Sequence, residues 1–136
     1  MTDEVVLYKT CNSNLIMNMN MLNMYSTYYL CNKHGILVCI PHGCICITSY
    51  FFWRNPRRNY IMFIDYFVVL TSIVLYYYAS VLHNKDTIVS YGILLALYIN
   101  NMSNYFKYLK KNEEYAVYVH SLNYLLANIG VIYIYN

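Results

Sequence analysis

Ser49, Asp65 and His120 are the residues of this chain whose types and placement could do chemistry together. A hydroxyl, a carboxylate and an imidazole are the groups that polarise a water molecule or pass a proton. They stand on three different apolar stretches. Each is close to one of two basic loops, Arg54-Asn-Pro-Arg-Arg58 and the run from Lys107 to Lys111. At about 1.5 Å of rise per helical residue, all three fall roughly 7–10 Å inside the same membrane interface. Each also has a plainer reading. Buried polar residues of membrane bundles hydrogen-bond neighbouring helices, and Asp65 is near enough in sequence to Arg57 and Arg58 to pair with either. As a trio they are the candidate catalytic set.

The elements that must position them are helices. Four apolar segments approach the roughly 20 residues that a span needs: 34–53, 60–82, 87–106 and 115–135. The first contains Pro41, which removes a helical N–H and kinks the helix or opens it locally. The third turns polar at Asn100, Asn101, Ser103 and Asn104. Polar residues recur as one stripe per segment: His42, Cys46 and Ser49; Asp65 and Ser72; Ser90 and Asn101, with Leu97 between them; His120, Asn123, Tyr124, Ala127 and Asn128. Residues three, four and seven apart share a helical face. The predicted fold is therefore all-α, an integral membrane bundle of about four transmembrane helices over residues 28–136, with its polar stripes facing inward. Residues 1–27 are predicted to be a polar, Asn/Met-rich N-terminal segment, whose Leu15, Met19 and Leu22 would allow an interfacial amphipathic helix.

Composition agrees. Hydrophobic residues make up 60% of the 136 and charged residues 11%, against about 25% charged in soluble domains. The bilayer is the expected solvent. The net charge is +3, with the basic residues held in short loops, so a nucleic-acid partner is excluded. The abundance of Asn, Tyr, Ile, Lys and Met points to an AT-biased genome such as that of a large DNA virus. The five cysteines are odd in number and three fall in one apolar run, which is not a secreted disulfide framework. Cys39, Cys44 and Cys46 with His34 and His42 lack the distant second ligand pair of a zinc site and read as small buried residues. No signal peptide is read at the N-terminus, so the first span is expected to direct insertion. With the basic loops 54–58 and 107–111 in the cytoplasm, four spans would leave both termini on the non-cytoplasmic side.

The order Ser49-x-x-x-Trp53, then Asp65 on the next segment, then His120-x-x-x-Tyr124 on the last, resembles the CREST membrane hydrolases, the superfamily of the alkaline ceramidases and the adiponectin-receptor-like proteins. The resemblance covers residues 42–128. It implies a zinc ion held by histidines beside a Ser and an Asp, with the activated water cleaving an amide-type lipid bond. Ser49, Asp65 and His120 match the family's Ser, its Asp and the first His of its HxxxH pair. Trp53 and Tyr124 stand where the other metal-binding histidines belong, and the predicted helices are fewer than the family's seven. The resemblance thus implies a degenerate copy. Its metal ligands would be His120 and His42, the latter one to two turns deeper.

Three functions remain in view. The first is a non-enzymatic multi-pass membrane protein with a structural or partner-binding role in a membrane assembly. Its partners would be the lipid bilayer and other membrane subunits, and it needs no cofactor. The second is a diverged zinc-dependent hydrolase of a lipid amide or ester. The third is a small transporter or channel subunit that uses the inward stripes as a pathway.

Overall fold

A computed structural model describes residues 10–57 and 59–136. They form five helices and, among the described residues, no sheet: α1 Thr10–His34, α2 Ile36–Arg54, α3 Tyr60–Leu82, α4 Asp86–Tyr108 and α5 Glu113–Tyr135. Three of them, α2, α3 and α5, are long and apolar enough to cross a membrane. The expected count of about four is corrected to three, because the Asn100, Asn101, Ser103 and Asn104 cluster interrupts the apolar run of α4.

The helices run up and down, and two apolar clusters mark the ends of the bundle. Ile16, Phe52, Trp53, Met62, Val117 and Tyr124 pack together beside the loops 55–59 and 109–112. Leu30, Cys39, Tyr76, Val131 and Ile134 pack together beside Gly35 and the loop 83–85. The start of α1 therefore lies at the basic-loop end, and Asn136 at the other. α1 thus runs the length of the bundle before α2 begins.

That helix occupies most of the stretch expected to be a polar segment, and the boundary anticipated at residue 27 falls inside it. Residues 1–9 and Arg58 lie outside the described residues, as do the side chains of Thr10, Cys11 and Asn12 in α1. Its buried residues are Ser13, Ile16, Asn20, Asn23, Ser26 and Leu30, a seam with helical steps of three and four. Leu15, Met19 and Leu22 flank this seam half-buried. Outward, Met21, Met24, Tyr25 and Tyr28 are exposed. The helix is thus polar on its packed face and apolar on much of its free face.

The same inversion holds across the bundle. His42, Ser49, Asp65, Ser72, Ser80, Ser103, Ser121 and Asn128 are buried, while Leu37, Ile47, Phe63, Phe67, Leu70, Val74, Leu94 and Ile129 are exposed. In water the reverse arrangement is the stable one. In hydrocarbon the polar groups are the ones that need partners, so they turn inward.

Loop chemistry sets the register. Asn59 caps α3 by accepting from the N–H of Ile61 at 3.1 Å and of Met62 at 3.3 Å. Asn112 caps α5 by accepting from Tyr115 N–H at 3.0 Å, and Glu113 and Glu114 favour the positive end of that helix. Lys85 reaches across to donate to the carbonyls of Tyr133 at 2.7 Å and Ile134 at 3.2 Å, closing the negative end. α1 and α2 are separated by Gly35 alone, at φ 90 and ψ 167. This region is essentially open to glycine only. Gly35→Ala is expected to destabilise the folded protein by about 1–3 kcal/mol through backbone strain. Gly92→Ala, in the interior of α4 with nothing within 4 Å of an added Cβ, is expected to stabilise by about 0.5–1 kcal/mol. Reversible unfolding in detergent measures both.

Candidate functional site

Ser49 and Asp65 meet. The spacing of Ser49 with His42 on α2, and of Asp65 with Ser72 on α3, turns each stripe towards the other helix, and all four residues are buried. Ser49 Oγ donates to Asp65 Oδ1 at 2.8 Å. Thr48 Oγ1 donates to the same oxygen at 2.7 Å. Asp65 is 5% exposed, so these two hydroxyls replace the water that a carboxylate would otherwise hold. Arg57 donates instead to Asn55 Oδ1 at 3.0 Å.

His120 is placed beside this pair by aromatic packing. Its ring lies 5.4 Å from that of Trp53 and 6.3 Å from that of Tyr124. Tyr124, buried one turn along α5, sets its phenol against Ser49 and Trp53 and lies near Asp65. The imidazole is thus held between two rings, and Tyr124 is the residue that touches the Ser–Asp pair. The three predicted residues converge on one region, Ser49 bonded to Asp65 and His120 reaching them through the rings of Trp53 and Tyr124.

His42 belongs to a different set. Its Nε2 is 3.0 Å from Asn128 Oδ1. Asn128 Nδ2 donates to Asn23 Oδ1 at 2.8 Å and to the Tyr124 carbonyl at 2.5 Å. Asn23 Nδ2 donates to Asn20 Oδ1 at 2.7 Å, and Asn20 Nδ2 to the Cys46 carbonyl at 2.7 Å. This buried chain joins α1, α2 and α5. Pro41 lies one residue before it, and Ser72 Oγ of α3 donates to the Pro41 carbonyl at 3.4 Å. The proline is thus accommodated among neighbouring polar groups, as a bilayer demands.

The proposed metal ligands do not assemble. His42 is tied to Asn128 and His120 is stacked on Trp53 and Tyr124. Among the described residues no group of three or more His, Cys, Asp or Glu could hold a metal ion. The residues present do not fit a catalytic zinc, and no step is derived through one. The α4 stripe also departs from expectation, since Leu97 and Asn101 are exposed. Ser103 is the buried residue of α4, and it donates to the Ala116 carbonyl of α5 at 2.7 Å.

Sequence reasoning missed Thr48, Asn20 and Asn23 as members of these sets. The Asn20/Asn23 signal was available in the three–four spacing they share with Ser13, Ile16 and Leu30. The chain matches no protein-family model, no curated protein and no solved structure.

Asn128→Leu removes the acceptor of His42 and the donor to Asn23 and Tyr124 together. Each buried group left unpaired costs about 1–3 kcal/mol, so the loss of stability is expected to reach at least 2 kcal/mol. Leu125→Ala, on the exposed face of α5, is the control. Denaturation in detergent should separate the two variants clearly.

Proposed function

We propose that this chain is a multi-pass integral membrane protein with a structural or partner-binding role in a membrane assembly and no catalysis of its own. The inverted bundle carries the reading. Half of its buried residues are polar and most of these are hydrogen-bonded, while its outer surface is apolar along most of its length. Such a body dissolves in lipid and not in water. The partner-binding part draws on α4. This helix presents Ile88, Tyr91, Leu94 and Tyr98 outward, and beyond them exposed Asn100, Asn101 and Asn104. Outward amides at membrane depth favour another helix, which supplies hydrogen bonds that lipid lacks. We read the loops 54–58 and 107–111 as cytoplasmic on their basic charge, with Asn136 on the opposite side.

The protein is expected to stay with membranes through alkaline carbonate extraction. Release into the supernatant would sink the reading. Replacing Asn100, Asn101 and Asn104 together by Leu is expected to shift a crosslinked complex towards the monomer; an unchanged crosslinking pattern counts against α4 as the contact face.

One observation favours the second reading, a diverged lipid amide or ester hydrolase: two different helices bring Ser49 and Asp65 to 2.8 Å. A metal assay on detergent-purified protein decides between the two. The non-catalytic reading expects zinc far below one ion per chain, and it expects Asp65→Asn to fold, because the amide oxygen still accepts from Thr48 and Ser49. Stoichiometric zinc lost on His120→Ala would overturn it in favour of the hydrolase.

A further inference from the structure

The two nitrogens of His42 are in different situations. Nε2 faces Asn128 Oδ1 at 3.0 Å. The orientation of that amide is anchored by the Tyr124 main-chain carbonyl, which accepts whatever faces it. Nδ2 must point there, at 2.5 Å, and it also supplies Asn23 Oδ1 at 2.8 Å. The Asn128 oxygen is then the acceptor for His42, so Nε2 carries the ring hydrogen. Nδ1 is left as a bare lone pair. It is buried and has no hydrogen-bond partner among the described residues.

Tyr76 of α3 stands edge-on to this ring, with centroids 6.1 Å apart and planes at 60°. It is 7% exposed, and its hydroxyl lies against the His42 main chain and has no acceptor among the described residues. One group therefore lacks a donor and its neighbour lacks an acceptor. A third buried atom without a partner, Ser26 Oγ, belongs to α1. It lies one turn beyond Asn23, and the methyl of the adjacent Thr27 is 3.5 Å from where a Cβ on Gly43 would stand. Ser26 is thus at the level of His42.

We propose that His42 Nδ1 and the Tyr76 hydroxyl, with Ser26 at the same level, form a buried binding site for one water molecule. The guest must accept from Tyr76 and donate to Nδ1, so it is small, neutral and able to do both. A cation would meet a single bare nitrogen and no second ligand set. An anion would face the lone pair. Water bound by two to four polar groups is the ordinary occupant of such a place. Bound there, it ties α3 to the polar chain that joins α1, α2 and α5.

The test uses the full chain, labelled with ¹⁵N-histidine, in detergent micelles. The ring of His42 is assigned by substituting His34, His83 and His120 in turn. The expected result is an Nε2–H tautomer, an Nδ1 resonance upfield of a bare acceptor nitrogen, and transfer of magnetisation from water to the His42 ring. Tyr76→Phe keeps the aromatic ring and removes the hydroxyl, and it is expected to abolish or sharply reduce that transfer. An Nδ1–H tautomer overturns the proposal. So does a hydrogen-bonded Nδ1 without water transfer, which would mean that Tyr76 reaches the ring directly. Transfer unchanged in Tyr76→Phe overturns the role of Tyr76. Where that variant fails to fold, the tautomer and the water transfer of the unsubstituted protein decide the matter.

Discussion

The amide of Asn128 is the junction on which the bundle depends. It accepts from His42 of α2, donates to Asn23 of α1, and closes on the Tyr124 carbonyl of its own helix. In water such bonds contribute little net, because each group has a solvent alternative. In lipid that alternative is gone, and an orphaned amide or imidazole bears its full desolvation penalty. The hydrogen-bond pattern of one side chain thus dictates how three helices sit against one another. Apolar packing alone discriminates poorly there, since lipid tails are as apolar as leucine.

The remaining helices attach by the same means, each through few groups. α3 is joined to α2 by the two hydroxyls on Asp65 and by Ser72 on the Pro41 carbonyl. α4 meets α5 through Ser103. The side chains that look most chemical, Ser49, Asp65 and His42, are therefore already engaged in holding helices together. His120 is engaged with two aromatic rings instead. Ser49 and Asp65 hold α2 to α3 through the same bond that brings a hydroxyl within reach of a carboxylate.

Much of this was legible in the sequence, and the parts that were not have separate physical causes. The hairpin of α2 and α3, the basic turns and the meeting of Ser49 with Asp65 follow from apolar length and from residues seven apart. The convergence of His120 on the same level follows from counting rise. The first helix was obscured because hydropathy penalises Asn, and Asn20 and Asn23 were weighed as surface when they are core. Leu15, Met19 and Leu22 suggest an interfacial amphipathic helix, whereas they flank a packed seam of Ser13, Ile16, Asn20, Asn23, Ser26 and Leu30. The departure on α4 has another origin: Ser90, Leu97 and Asn101 are regularly spaced, but periodicity names a face without saying which way it points, and Leu97 and Asn101 are exposed. Thr48 shows a finer limit. It adjoins Ser49 and so should project elsewhere, yet one carboxylate oxygen lies within reach of both.

The pairing of the first described helix with the last has a consequence for synthesis. Asn23 and Asn128 are 105 residues apart. At about 5–20 residues per second of translation, roughly 5–20 s separate the emergence of one from the other. During that interval α1 has its asparagines made and their partner on α5 does not yet exist. Asn20 Nδ2 can already pair with the Cys46 carbonyl of α2, and Asn23 Nδ2 with Asn20, but Asn23 Oδ1 still lacks the donor that Asn128 supplies. The bond between α1 and α5 is thus a late event in assembly, completed only after every intervening helix has been made.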